Sequence, residues 1–147
     1  MATTYEVSAN VRSVFEKLQA TPAVQKGMAF LAADHSNAIA EQIAINEVPA
    51  PPFQEQERGQ FYKAKLAALG LSAVTEDAEG NVFGVFKGTG NGPRIFVSAH
   101  LDTVFAAGTD VKVRENDGKL YAPGIADNAR GLAAILSVIR ALREAGI

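Results

Sequence analysis

The chain has 147 residues, of which 48% are hydrophobic and 20% are charged, and its formal net charge is −2. This length corresponds to about one domain, and the small charge argues against a surface that binds nucleic acid electrostatically. The sequence contains no cysteine, which excludes disulfides and thiolate zinc ligands. It has no apolar run of membrane-spanning length, and MATTYEVSAN does not read as a signal peptide. We therefore expect a cytoplasmic chain with no nucleic-acid or membrane partner.

Apolar residues at helical spacing dominate the first third of the chain. They predict a helix over residues 8–18 and a second helix that begins at Thr21-Pro22, with Thr21 as N-cap and Pro22 at the first helical position. The second helix is predicted to continue through Ile43. The proline-rich stretch at residues 48–52 must then end it, because a proline disfavours the helical conformation of the residue before it.

His35 lies on the apolar stripe of that second helix, four residues from both Leu31 and Ile39. A metal role would require partner ligands, and Asp34 points to another face of the helix. We therefore interpret His35 as a packed or half-exposed helix histidine.

After the proline-rich stretch, helical and strand-like patterns alternate. A helix is predicted over residues 53–69 and another over residues 128–145. Strand-like runs occur between them at residues 73–75, 82–86, 94–99, 111–114 and 119–121. The first two runs read as one hairpin, and Asn116-Asp117-Gly118 predicts a type I′ turn between the last two. This order predicts an α/β fold, a three-layer α/β/α sandwich with a mixed sheet and residues 94–99 as its buried central strand.

Polar residues follow that central run. His100 and Asp102 are two positions apart, so on an extended strand they point to the same side. An imidazole is a common metal ligand, and its other ring nitrogen normally donates to a carboxylate that fixes the tautomer. His-x-Asp alone is a weak motif, since most such matches are surface or turn residues.

Asp127 is a third candidate, in the short loop between a strand and the last helix. A carboxylate at that position can cap the helix, or it can project towards a cation. The local pattern leaves both interpretations open.

Taken together, SAHLDTV and the later DGKLYAPGIADNARGLAAIL resemble the M20 family of zinc metallohydrolases, which includes peptidases and amidohydrolases. The resemblance implies a zinc-exopeptidase-like fold that holds two zinc ions. It further implies that His100 is a zinc ligand, that Asp127 bridges the two ions and that Asp102 orients His100. Within that family, this sequence most resembles the aminotripeptidase-like branch. The M28 aminopeptidases are the alternative, because they also place Asp-Asn before a helix.

The family pattern contains more than this chain does. It expects a Glu-Glu pair, another acid and a distant histidine after the bridging aspartate, whereas here Glu144 is the only later acid. We therefore expect residues 1–48 to form N-terminal helices and residues 49–147 to be the N-terminal portion of a catalytic domain. In this interpretation the general base, the remaining ligands and a lid domain lie beyond Ile147.

The resemblance implies that the intact enzyme hydrolyses a small peptide or acylated amino acid and forms a homodimer, whereas the fragment alone is inactive. Two other hypotheses remain. The chain could be a non-catalytic domain that kept the fold, or a binding or structural module unrelated to zinc hydrolysis.

Overall fold

The computed structural model describes residues 6–147, which form five helices and two hairpins. The elements in chain order are α1 (Ala9–Ala20), α2 (Pro22–Ala33), α3 (His35–Asn46), α4 (Gln56–Ala68), β1 (Ser72–Glu76), β2 (Val82–Val85), β3 (Arg114–Asn116), β4 (Lys119–Tyr121) and α5 (Ala129–Ala145). Within the described residues, no helix combines the length and the apolar character that a bilayer crossing needs.

The first two helices begin where the sequence predicts. The Ser8 hydroxyl accepts a hydrogen bond from the backbone N–H of Val11 at 3.4 Å, and Pro22 occupies the first position of α2. The predicted continuation of α2 through Ile43 is wrong, because the helix is interrupted at Asp34. The Asp34 carboxylate accepts a hydrogen bond from the Arg140 Nε of α5 at 2.9 Å, so a tertiary contact lies at the break.

The core forms around α5. Its apolar stripe is buried as predicted, with Leu132 and Leu136 almost wholly inaccessible to solvent. These side chains belong to one cluster with Ile45 of α3 and Tyr62 and Leu66 of α4. The helix propensity of α5 is thus reinforced by the burial of one face, which is the main source of helix stability in proteins.

Both predicted hairpins are present, but β3 spans Arg114–Asn116 and not the predicted residues 111–114. β1 pairs with β2, and β3 pairs with β4, in each case antiparallel. Asp117 and Gly118 have φ angles of 50° and 67°, the two left-handed residues of a type I′ turn. The α/β class is confirmed, with strands that form two separate two-stranded sheets across the described residues.

The predicted central strand at residues 94–99 is wrong. Residues 87–113 contain no assigned strand, and Ile95, Phe96 and Val97 are 85%, 78% and 64% exposed. A strand needs a neighbour to pair with its N–H and C=O groups, and neither hairpin lies beside this segment in a shared sheet. The residue types at positions 94–99 favour a strand, but among residues 6–147 no neighbouring strand pairs with them.

Two local predictions also need correction. α4 begins at Gln56 and not at residue 53, since Phe53 has a φ of +62° and is 93% exposed. His35 is the first residue of α3 and is exposed. The interruption at Asp34 turns His35 into a helix-start residue, which removes it from the continuous apolar stripe that the sequence suggested.

Candidate metal centre

The segment that carries His100 and Asp102 is extended and is anchored at its end to the proline-rich corner. The Thr103 N–H donates to the carbonyl of Ala50 at 2.8 Å, and the Thr103 hydroxyl donates to the same oxygen at 3.1 Å. Thr103 is buried. The corner at residues 48–52 therefore holds the end of the site segment in place.

Arg58 of α4 anchors the middle of the same segment. Its Nη1 donates to the carbonyl of Leu101 at 2.9 Å, between His100 and Asp102 in the chain. Nε donates to the Val48 carbonyl at 2.8 Å and Nη2 to the Asn46 carbonyl at 3.2 Å, and the residue is wholly buried. Burial lowers the pKa of Arg58, and the nearby charge of Asp102 opposes that effect.

Sequence reasoning did not identify Arg58. The available signal was its spacing, because Arg58, Tyr62 and Leu66 recur every four residues and so share one face of α4. Tyr62 and Leu66 face the core. A charged residue on that face predicts an internal partner, although the pattern does not reveal that the partner is the carbonyl of Leu101.

The loop before α5 packs directly against the site segment. Gly124 has a φ of +82°, and a Cβ at this position would lie only 2.9 Å from Cγ2 of Thr103. The Ile125 carbonyl accepts a hydrogen bond from Nε2 of Gln42 at 2.7 Å. Glycine thus allows the loop to approach the segment, and Gln42 ties the loop to α3.

Asp127 is not the helix cap that one interpretation of the sequence suggested. The N-cap residue of α5 is Asn128, which makes no side-chain capping hydrogen bond. The peptide bond between Asp127 and Asn128 is cis. The Asp127 side chain is 88% exposed.

The three predicted site residues converge. Nδ1 of His100 lies 2.9 Å from Oδ1 of Asp102 and 3.0 Å from the Asp102 carbonyl oxygen. Nε2 of His100 lies 2.8 Å from Oδ1 of Asp127. The predicted approach of His100 to Asp127, with Asp102 on the other ring nitrogen, is therefore observed.

These contacts also change the pKa of the His100 imidazole. Burial lowers the pKa of His100, but hydrogen bonds to Asp127 and Asp102 outweigh it, so the pKa lies above its ordinary value. A protonated ring can donate from both nitrogens at once, one to each carboxylate. The two carboxylates thus stabilise the protonated form of His100 relative to a free imidazole.

The donor atoms fit part of a zinc site. Two ligands of one tetrahedral zinc ion stand about 3 to 4 Å apart, and the separation of 2.8 Å between His100 Nε2 and Asp127 Oδ1 is slightly shorter. The Asp127 side chain is 88% exposed, so it has room to move the few tenths of an ångström that zinc binding would require. Across residues 6–147 no group of three or more His, Cys, Asp or Glu side chains is arranged to hold a metal ion. Nitrogen and oxygen donors suited to zinc are present, but they form an incomplete set.

Comparison with known proteins finds similarity to one peptidase family. The model of peptidase family M20/M25/M40 matches residues 96–147. Carboxypeptidase G2 from Pseudomonas sp. (strain RS-16) is 35% identical over 96 residues, which cover 60% of this chain and 23% of the relative. A protein of Pyrococcus abyssi (strain GE5 / Orsay), whose proposed activity is hydrolysis of LysW-lysine or LysW-ornithine, is 36% identical over 90 residues, covering 61% of this chain and 25% of the relative.

A third relative is the uncharacterized protein YqjE of Bacillus subtilis (strain 168), 28% identical over 118 residues, which cover 73% of this chain and 32% of the relative. The chain thus spans between about a quarter and a third of the length of these proteins. The match to the model of peptidase family M20/M25/M40 spans residues 96–147, which carry His100, Asp102 and Asp127.

Proposed function

We propose that the chain is part of a dinuclear zinc hydrolase that cleaves peptide or amide bonds of small substrates. His100 would bind one zinc ion through Nε2, and Asp127 would bridge the two ions with its carboxylate. Asp102 would have a catalytic role by orienting His100, because its carboxylate accepts a hydrogen bond from the Nδ1–H of His100. The match of residues 96–147 to the model of a peptidase family supports a hydrolase.

One observation carries these roles. His100 has an acid on each ring nitrogen, Asp102 on Nδ1 at 2.9 Å and Asp127 on Nε2 at 2.8 Å. Metal-binding histidines typically have a carboxylate on the nitrogen away from the metal, which fixes the tautomer. The second acid, Asp127, is 88% exposed, and in this proposal its carboxylate and Nε2 would bind the cation together.

Each residue then has a distinct task. A bound pair of zinc ions would supply an activated water and polarise the scissile carbonyl. Asp102 would keep the proton on Nδ1, so that the lone pair of Nε2 remains available for the metal. Asp127 would contribute an anionic oxygen on each side, which reduces the charge repulsion between two cations.

We also propose that the described residues alone do not catalyse hydrolysis. They hold two candidate ligands for the ions, whereas a catalytic zinc site usually has three protein ligands. We therefore expect negligible peptidase activity from the 147-residue chain alone.

Substrate and cellular context are proposals of the same kind. The names of the carboxypeptidase and of the Pyrococcus relative favour a small peptide or acylated amino acid. The aminotripeptidase-like branch, a cytoplasmic location and a homodimeric enzyme stay predictions.

Zinc titration of the chain, followed by NMR, tests the ligand assignment. We expect saturable shifts of the His100 ring signals and of amides near Asp127. Asp127→Asn should remove most of this response, since it removes an anionic ligand. Asp110→Asn is the matched control, because Asp110 is also exposed and forms an ion pair with Arg114. Equal zinc responses in both variants would contradict the assignment. In a longer protein that carries this chain, full hydrolytic activity after Asp127→Ala would contradict it independently.

A further inference from the structure

Among residues 6–147, Arg58 is a buried cation without a carboxylate hydrogen-bond partner. All three of its hydrogen bonds go to backbone carbonyls, those of Asn46, Val48 and Leu101. Burying a guanidinium is costly unless its donors are satisfied. We propose that Arg58 is a positioning residue for the candidate metal centre, holding the peptide between His100 and Asp102 so that their side chains meet. This inference rests on the proposed function of that centre.

The carbonyl of Leu101 is the point through which Arg58 acts. His100 and Asp102 flank Leu101, so the orientation of its peptide group influences the directions in which both side chains leave the backbone. Nδ1 of His100 must reach both the carboxylate and the carbonyl oxygen of Asp102, at 2.9 and 3.0 Å. That geometry requires a defined bend in a segment that has no strand neighbour among residues 6–147.

The Leu101 residue is held from two sides. Its carbonyl accepts from Arg58, and its side chain lies over the backbone of Gly59, where an added Cβ would be 3.6 Å from Leu101 Cδ1. Leu101 also packs against the main hydrophobic cluster. The first turn of α4 therefore acts as a platform that orients the His-x-Asp segment, taking the place of a paired strand.

The geometry requires arginine in particular. The guanidinium is a planar fork that directs separate N–H groups at three carbonyls on three chain segments, the end of α3, the proline-rich corner and the site segment. The ammonium of lysine is a single point on a flexible stem and cannot span the three acceptors in the same way. Arg58→Lys therefore keeps the charge and removes the fork.

Arg140 offers a matched control. It is also a largely buried arginine with several partners, but these are Asp34, Glu41 and Ser137 within the helical part. Arg140→Lys should weaken helix packing and leave the site segment unchanged. A purely structural role for Arg58 would make the two lysine variants equivalent at His100.

The test compares the unmutated chain, Arg58→Lys and Arg140→Lys by NMR and by zinc titration, after circular dichroism has shown that each is folded. In the unmutated chain, the His100 Nδ1–H held by Asp102 should exchange slowly with water and give a resolved downfield signal. Arg58→Lys should lose this signal and raise the zinc dissociation constant about 10- to 100-fold, the range seen when residues that orient metal ligands are changed. Arg140→Lys should keep the signal and stay within about twofold, as expected for distant sites.

Several outcomes would overturn the inference. If Arg58→Lys behaves like Arg140→Lys in both measurements, Arg58 does not position the site. If Arg58→Lys does not fold, NMR of the unmutated chain tests the inference. Its Arg58 guanidinium protons should be protected from exchange and show coupling through the hydrogen bond to the carbonyl carbon of Leu101. Rapid exchange without such coupling would also refute the inference.

The two proposals can fail separately. If the unmutated chain does not bind zinc while Arg58→Lys still abolishes the Nδ1–H signal, the metal assignment fails and the positioning of His100 on Asp102 stands. If zinc binds His100 equally well in both chains, and the Nδ1–H signal persists in both, the positioning role fails and the metal assignment stands.

Discussion

The helical part of the molecule and the extended segment at residues 87–113 are stabilised in opposite ways. α5 buries Leu132 and Leu136 almost completely, whereas Ile95, Phe96 and Val97 of the segment are mostly exposed. A helix satisfies its backbone hydrogen bonds internally, so it needs only an apolar surface to pack against. An extended segment depends on a neighbour for those bonds, and here single tertiary hydrogen bonds replace a ladder.

The candidate site joins these two regions. Asp127 comes from the loop that leads into α5, while His100 and Asp102 come from the extended segment. Arg58 and the carbonyl of Ala50 hold that segment against the helical part. The comparison therefore predicts that substitutions in the helical core alter global stability most, and that those at the segment surface alter it least.

The largest expected effect is in the core of α5. Leu136→Ala should lower the free energy of unfolding by about 2 to 5 kcal/mol, because it removes buried methyl groups and leaves a cavity. Urea unfolding followed by circular dichroism measures this. Val138→Ala on the same helix is the control, since Val138 is 47% exposed. Similar losses in both variants would show that α5 is not packed as described.

The next effect concerns the contact between the two regions. Gly124→Ala should destabilise the chain by about 1 to 3 kcal/mol, because alanine is strained at a φ of +82° and its Cβ would clash with Thr103. Gly80→Ala has nearly the same φ, +84°, with no neighbouring atom within 4 Å. The difference between the losses of unfolding free energy in the two variants measures the cost of the clash with Thr103. A difference near zero would mean that the loop does not pack tightly against the site segment.

A smaller effect is expected in the titration of His100. Its pKa should lie above that of the same histidine in the urea-unfolded chain, and Asp127→Asn should lower it, because the amide no longer stabilises the imidazolium. The hydrogen bonds of protonated His100 to the two carboxylates stabilise the folded chain. Since the folded-state pKa is raised, this stabilisation is present in full below pH about 6.5 and is lost as the pH rises through the raised value. NMR titration of the ring protons measures both values, and an unchanged pKa in Asp127→Asn would argue against the observed hydrogen bond.

The smallest effect is expected on the surface of the segment. Phe96→Ala should change the free energy of unfolding by less than about 0.5 kcal/mol, because Phe96 is 78% exposed. Amide hydrogens of residues 94–99 should also exchange rapidly, as expected without strand pairing. A loss comparable with that of Leu136→Ala, or slow exchange, would show that these residues form a buried strand after all.

Particular residues show where prediction from the sequence reached its limit. The apolar spacing of α5 and the Asp117-Gly118 turn are local patterns, and both predictions are confirmed. The break at Asp34 was missed because it coincides with an ion pair to Arg140, 106 positions away. The buried strand at residues 94–99 was predicted from its strand-like residues and from the alternation of helical and strand patterns, which record a preference for strands and say nothing about the presence of a neighbour.

The sequence by itself determined the positions of most helices, both hairpins and the three residues that meet at the candidate site. It did so because helical periodicity, turn chemistry and the types of ligand residue are properties of short stretches. Only the tertiary structure gave the distances of 2.9 and 2.8 Å from the His100 ring to Asp102 and Asp127, placed Asn128 and not Asp127 at the cap position, and showed that Arg58 holds Leu101. Those contacts join residues 27 and 43 positions apart, and they depend on how the helices pack and on which backbone groups remain unpaired.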